Sequence, residues 1–299
     1  PTGIVLDFFA GSGTTGEAVI RLNKSQECSR GFLLIEAGPY FDSLLKRRIL
    51  KALAATMWEA GVPGAVNGTS RAVIQCIRLE SYEDALANLE LRRTAVQQQL
   101  LAGPMPQRRE GMSEQFLLRY MLDVETRGSQ SLLNVQAFAD PTAYKLKVKR
   151  PSSDESRETN VDLQETFNWL IGLTVRHMAA PRTFTAAFER DGEGRLQLKG
   201  RLKEDPAGPY WFRAITGTMP DGRRTLIVWR KLTGEPEQDN LVLDAWFTKQ
   251  GYSSKDSEFD VLYVNGGNNL ENLRAPDQTW KVRLIEEDFH RLMFATEAV

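Results

Sequence analysis

The stretch Asp7-Phe8-Phe9-Ala10-Gly11-Ser12-Gly13-Thr14-Thr15-Gly16 constrains the fold of this chain more than any other. A short apolar run, Gly3-Ile4-Val5-Leu6, leads into Asp7, and a segment with helical spacing covers residues 15–22. The order is strand, glycine-rich loop, helix. Gly11 and Gly13 let the backbone turn sharply and approach a ligand with no Cβ in the way. The helix start behind them offers unpaired N–H groups and partial positive charge to an anionic or polar ligand. A second apolar run, Phe32-Leu33-Leu34-Ile35, ends at Glu36. In a doubly wound sheet, a carboxylate at the tip of the second strand accepts hydrogen bonds from a ribose diol. The pattern therefore predicts an adenosine-containing cofactor lying across the first two strands.

Gly11, Gly13 and Gly16 formally fit the dinucleotide spacing G-x-G-x-x-G. Asp7 argues for a different ligand. An acidic group there would repel a pyrophosphate but would suit the charged methionine end of S-adenosylmethionine. A P-loop is excluded, because no Gly-Lys-Ser/Thr follows the turn.

The box from Asp7 to Thr15, with F-x-G-x-G at Phe9, Gly11 and Gly13, resembles motif I of the amino-methylating DNA methyltransferases. Residues 32–36 followed by Gly38-Pro39-Tyr40-Phe41 resemble the next motif of that family. Further stretches at residues 77–86, 120–125, 161–168, 263–266 and 280–294 are similar to the modification (Mod) subunits of type III restriction-modification systems. The resemblance covers nearly the whole chain, and these later stretches are more specific than the glycine box.

The resemblance implies S-adenosylmethionine as cofactor and methyl transfer to the exocyclic amine of adenine in a specific DNA site. The implied cofactor residues are Asp7, Phe8, Phe9, Ala10, Gly11, Ser12, Gly13, Thr14, Thr15 and Glu36. Gly11, Ser12 and Gly13 would shape the loop, and Asp7 with the turn backbone would hold the methionine end. Phe9 and Ala10 would line the pocket, and Glu36 would hold the ribose hydroxyls. The implied partners are DNA through the full-length protein, the N-terminal methyltransferase half, a second Mod copy and the restriction (Res) subunit. The last two would be engaged by the tail from about residue 110.

Amino methylation also needs a pocket that takes the flipped base and aligns its amino nitrogen with the methyl group. In the resembled family a D-P-P-Y box does this. The nearest string here, Asp140-Pro141-Thr142-Ala143-Tyr144, has the wrong spacing, and Gly38-Pro39-Tyr40 and Gly208-Pro209-Tyr210 lack the acid. All three read as turns, so no catalytic residue is assigned. In the type III group the catalytic box and target-recognition region precede motif I. A chain that begins at Pro1, two residues ahead of a strand, therefore reads as a C-terminal portion: a fragment, a processed chain or a trimmed one. Residues 4–9 would then carry a bare apolar edge, an aggregation hazard unless upstream sequence or a partner covers it.

The 299 residues are 41% apolar and 26% charged, which allows two domains. The net charge of −1 does not announce a nucleic-acid binder. Lys46-Arg47-Arg48 and the lysines of residues 145–150 read as solvated faces. Cys28 and Cys76 form neither a metal motif nor a disulfide framework, which fits a reducing cytoplasm. No apolar run approaches the ~20 residues of a membrane helix.

The predicted fold is α/β: a partial Rossmann-like methyltransferase sheet, a helical segment, then a second small α/β unit. Residues 1–80 read as β-α-β-α-β, with helices over 15–23 and 41–58 and a third strand over 72–79. Residues 81–181 read as mostly helical, with helices over 81–101, 113–124 and 160–178 and a linker at Gly103-Pro104-Met105-Pro106. Residues 182–299 read as strands over 183–189, 196–202, 210–215, 225–229 and 259–264, with a helix over 240–249. Asp191-Gly192 and Asp221-Gly222 are hairpin signals, and Asn265-Gly266-Gly267 is a turn. His177 and His290, each read on a helix, have no metal-spaced or nucleophilic partner, and no H-E-x-x-H occurs. Two rivals remain: a non-catalytic assembly module with a vestigial cofactor fold, and a nicotinamide-dependent dehydrogenase. The second lacks a recognisable substrate domain.

Overall fold

Two apolar runs, Leu226-Ile227-Val228-Trp229 and Val261-Leu262-Tyr263-Val264, have no polar residue to turn toward water. Strands of this kind are stable only with both faces covered, and the architecture follows from that need. The computed structural model describes residues 2–26, 29–55, 57–59, 62–64, 72–90, 126, 128–149, 155–274 and 279–293. The chain is α/β and divides into two units, Pro1–Glu80 with Lys149–Ser156, and Ser81–Val148 with Arg157–Val299.

In the first unit, β1 (Thr2–Asp7) pairs in parallel with β2 (Ser29–Leu34), with Leu6 opposite Leu33. Parallel neighbours need a crossover, and α1 (Thr14–Gln26) supplies it. A π-helical turn, Phe41–Leu45, runs into α2 (Lys46–Ala54). The helical stripe predicted to residue 58 thus stops at Ala54. Trp58 lies instead in β3 (Trp58–Glu59), which pairs antiparallel with β4 (Val62–Pro63). Ala10, Ile20, Leu45 and Ile49 form the core, with Phe32 and Leu34 of β2 against it.

Side chains alternate along a strand, so the opposite face of this sheet carries Ile4, Leu6 and Leu33. They are 80%, 49% and 54% exposed. Among the described residues β1 pairs with β2 alone. Among the described residues the other edge of β1 thus has no strand beside it, and the face with Ile4, Leu6 and Leu33 is exposed. The predicted third strand over 72–79 does not form. That stretch is irregular, with Val73 and Leu79 at 97% and 83% exposure. A strand needs a neighbour for its N–H and C=O groups, and no described strand pairs with it.

The second unit is built on a seven-stranded mixed sheet. Its long centre is β12 (Tyr210–Thr218), flanked on one side by β13 (Arg224–Arg230) in a hairpin through Asp221-Gly222. On its other side, β8 (Arg182–Thr185) pairs with the first half of β12 and β7 (Thr174–Met178) with the second. β11 (Lys203–Glu204) extends the sheet beside β8. Beyond β13, β14 (Val261–Val264) and β15 (Val282–Leu284) continue in parallel. Two smaller pairs stand apart. One is β9 (Phe188–Arg190) with β10 (Leu196–Leu198), the hairpin announced by Asp191-Gly192, and the other is β5 (Lys145–Lys149) with β6 (Ser156–Asn160).

Alternation assigns the two faces. Phe212, Leu226, Val228, Leu262 and Val264 meet Val242, Leu243, Trp246 and Phe247 of one helix, Pro236–Gln250. Ile215, Ile227, Trp229, Val261 and Tyr263 meet the helices Leu163–Leu170 and Ile285–Met293. In chain order these helices are α4 (Leu163–Leu170), α5 (Pro236–Gln250) and α6 (Ile285–Met293), after a short α3 (Tyr82–Ala87).

The helix predicted over 160–178 is half helix and half strand. Asp162 caps α4 by accepting from the Glu165 N–H at 3.0 Å. The helix stops because Gly172 takes a positive φ of 65°. The N–H of Gly172 then reaches the Trp169 carbonyl, and that of Leu173 the Asn168 carbonyl, a Schellman end. Thr174 and Val175 are β-branched and pair with Thr218 and Gly217 in the sheet. His177 thus lies on a strand, and His290 on α6 as read. Residue 181 is not a boundary between units, because β7 is part of the same sheet as β12.

Ser81 caps α3 as its sequence pattern predicts, accepting from the Asp84 N–H at 3.0 Å. The helix predicted over 81–101 stops early: α3 ends at Ala87, and residues 88–90 are a turn and irregular chain, with the Asn88 N–H reaching the Asp84 carbonyl at 3.0 Å. Residues 91–101, the helix over 113–124, the Gly103–Pro106 linker and Cys28 lie outside the described residues.

Candidate ligand-binding loop

β1 delivers Asp7 to its end, and the chain then turns through Gly11 (φ 51°) and Gly13 (φ 80°) into α1. Three backbone bonds set the turn. The Ala10 N–H reaches the Ile35 carbonyl at 3.0 Å, the Ile35 N–H reaches the Asp7 carbonyl at 2.9 Å, and the Gly13 N–H reaches the Ala10 carbonyl at 2.7 Å. The loop is thus clamped to the chain leaving β2. The glycines have different jobs. At Gly11 an added Cβ would meet only the Phe9 carbonyl oxygen at 3.9 Å, so the requirement there is the positive φ. At Gly16 it would stand 2.5 Å from Ile49 Cδ1 and 2.7 Å from Leu34 Cδ1. That glycine lets α1 close onto β2 and α2.

Both candidate carboxylates turn onto this loop. Asp7 accepts from the Phe9 N–H at 3.1 Å with Oδ1, and from the Thr15 hydroxyl at 2.6 Å with Oδ2. It joins the strand end to the first turn of the helix. Glu36 accepts from the Gly11 N–H at 2.7 Å with Oε2, and from the Gly38 N–H at 2.6 Å with Oε1. Residues separated by 25 positions therefore meet at one place. Each carboxylate oxygen has two acceptor sites, so Glu36 retains capacity for hydroxyl donors.

The remaining candidates sort by exposure. Phe8 and Phe9 are exposed at 59% and 92%. Ala10 is buried in the core with Ile20, Leu45 and Ile49, so it anchors the loop from beneath. Ser12 and Thr15 are half-buried and Thr14 is exposed. The N–H groups in the first turn of α1 have no intrahelical acceptors, and they follow directly on this loop. The site can accept hydrogen bonds from a diol through Glu36 and donate to an anionic or polar group through the helix start. The sequence alone gives Thr15 no individual role. Its place as partner of Asp7 is set by the turn geometry, for which the sequence offers only the eight-residue separation.

Asp140–Tyr144 and Gly38–Tyr40 lie in turns, as read, whereas Gly208-Pro209-Tyr210 runs from the end of a turn into β12. Asp140 accepts from the Thr142 N–H at 3.1 Å and its hydroxyl at 2.6 Å and pairs with Lys231 at 2.6 Å, while the Tyr144 hydroxyl donates to the Gln130 carbonyl. The Gly208 N–H reaches the Asp205 carbonyl at 2.9 Å, and the Gly38 N–H closes on Glu36. Among the described residues no group of His, Cys, Asp and Glu is placed to hold a metal ion, and no helix is long and apolar enough to cross a membrane. Comparison of the chain with family models, curated proteins and solved structures gives no match.

Proposed function

We propose that this chain is the C-terminal portion of a site-specific DNA adenine (N6) methyltransferase of a type III restriction-modification system, and that residues 1–80 hold S-adenosylmethionine. One observation carries the reading: a parallel strand pair, a loop with Gly11 and Gly13 at positive φ, and Glu36 brought from the end of β2 to within 2.7 Å of the Gly11 nitrogen. The donor set fits the cofactor. Glu36 accepts from the ribose hydroxyls, while Asp7, the loop backbone and the α1 start receive the methionine end. When bound, S-adenosylmethionine supplies an electrophilic methyl group on its sulfonium. This chain's part is to hold and orient it.

The two-stranded parallel sheet is the cofactor half of a Rossmann-like sheet, and its bare face and free edge are completed by the N-terminal methyltransferase half. The catalytic D-P-P-Y box and the target-recognition region lie in that half, so this chain alone is inactive. Through the full-length protein the partners are DNA, a second Mod copy and the Res subunit, in the cytoplasm. A second reading has one observation in its favour: all four oxygens of Asp7 and Glu36 are engaged by the chain's own N–H and O–H groups. On that reading the loop is only a structural corner of an assembly module.

Calorimetric titration with S-adenosylmethionine separates the two, with NAD as control. The methyl donor is expected to bind and NAD is not. Glu36→Ala removes both loop anchors and the ribose acceptors, and is expected to weaken binding by about tenfold or more, since one hydrogen bond to a charged group contributes ~1.5–3 kcal/mol. No heat of binding from the unmodified chain supports the assembly module.

A further inference from the structure

We propose that the groove between α1 and α2 in the first unit binds the phosphate backbone of a nucleic acid. The groove has a volume of about 450 Å³ and is lined by Arg21 and Lys24 of α1 and by Arg47, Arg48 and Lys51 of α2. Glu17 is the one carboxylate among its lining residues. Five cations against one carboxylate leave four positive charges here, in a chain whose net charge is −1. The positive charge is a local concentration, not a property of the whole surface.

Its arrangement favours a linear polyanion over a single anion. Arg47 and Lys51 are separated by one helical turn, about 6 Å along the axis, and Arg21 and Lys24 stand about 4.5 Å apart along theirs. The cations thus form two rows along the groove. Glu17 accepts two bonds from Arg21, at 3.0 and 2.7 Å, and one from Arg48 at 3.4 Å. A guanidinium has five N–H donors, so both arginines keep donors for a ligand. Lys24 reaches the Ala52 and Leu53 carbonyls at 2.8 and 3.3 Å and fixes one end of the groove. Arg47 makes no ion pair among the described residues.

Trp58 indicates which part of the nucleic acid is read. The Lys51 ammonium lies 5.3 Å from the centroid of its ring, and its indole N–H donates to the Lys51 carbonyl at 3.1 Å. An ammonium over the ring competes with a base for stacking, the usual aromatic contribution to single-strand binding. The interactions left are with phosphates, which position a duplex without reading its sequence. This inference uses neither Asp7 nor Glu36 and stands or falls apart from the methyl-donor reading.

The test is fluorescence anisotropy of the full chain with a short fluorescein-labelled DNA duplex over a range of salt concentrations. The unmodified chain is expected to bind with an affinity that falls as salt rises. The double variant Arg47→Glu/Lys51→Glu is expected to bind about tenfold or more weakly, with a salt slope shallower by about 2, because each substitution takes away one cation that neutralises a phosphate. Arg47→Gln/Lys51→Gln, which keeps helix-forming side chains, should lose affinity in the same direction by less. Arg176→Glu/Arg201→Glu, at exposed positions of the second unit, should match the unmodified chain. The proposal is overturned by a chain that does not bind duplex, or by groove variants whose affinity and slope are unchanged. It is equally overturned if polyglutamate displaces the duplex at equal charge concentration, which would make the groove a site for acidic polypeptide.

Discussion

Replacing Arg230 with alanine is expected to destabilise the second unit by about 3–5 kcal/mol, the range for stripping one partner from a buried charged network. Arg230 closes β13 and is 1% exposed. Its guanidinium donates to the Asn265 carbonyl at 3.1 Å, the Asp239 carbonyl at 2.9 Å, the Gly267 carbonyl at 2.9 Å and Asn240 Oδ1 at 3.3 Å. One side chain thereby ties the end of β13 to the start of α5 and to the turn after β14. Burial pulls its pKa down to about 10, against the attraction of Asp239, so it remains charged at neutral pH. Alanine would leave buried carbonyls without donors. Lysine keeps the charge but not the planar fork, and is expected to recover only part of the loss. Urea unfolding followed by tryptophan fluorescence reads both variants, with Trp229 and Trp246 as buried reporters. A loss below about 1 kcal/mol would return Arg230 to the class of ordinary surface hydrogen bonds.

Phe167→Ala is expected to cost about 3–5 kcal/mol by a different route, the cavity left in a packed core. Phe167 is fully buried on α4. Its ring lies 6.1 Å from Trp229 and 5.1 Å from Tyr263, both edge-on, and is stacked on Phe289 at 5.6 Å. It therefore joins α4, the sheet and α6. Tyr263 cannot move to fill the space without breaking its 2.6 Å bond to Asp288. Phe167→Leu should cost clearly less, because it refills most of the volume. The same urea titration measures it, and equal losses for the alanine and leucine variants would mean that the aromatic cluster is not what fastens α4.

What is legible in the sequence is what short-range chemistry decides. The loop from Asp7 to Gly16, the cap at Ser81, the two Asp-Gly hairpins and the apolar runs of β13 and β14 are local signals, and each of these appears near its place. Sequence and structure part where tertiary pairing decides. Residues 160–178 keep a helical apolar spacing, but Gly172 at positive φ ends the helix, and Thr174 to Met178 gain sheet bonds from β12. Residues 72–79 have a strand's composition but pair with no described strand. At the candidate site, Asp7 and Glu36 stand out in the sequence as ligand groups, while their bonds to Thr15, Gly11 and Gly38 depend on a turn geometry with no sequence signature. Lys46-Arg47-Arg48 reads as a solvated face because the facing cations, Arg21 and Lys24, lie on another helix. Arg230 gives no sequence signal at all, since most of its acceptors are backbone carbonyls.

The most direct test of the central claim is to observe the loop while the methyl donor is added. The chain is labelled with ¹⁵N-glycine, and its amide signals are followed by nuclear magnetic resonance as S-adenosylmethionine is titrated. If residues 1–80 hold the cofactor, the Gly11, Gly13 and Gly38 amides shift together along one saturating curve, while Gly251 and Gly266 of the second unit stay in place. Unmoved amides at Gly11 and Gly13, or shifts confined to the second unit, would contradict the account and leave the loop as a structural corner.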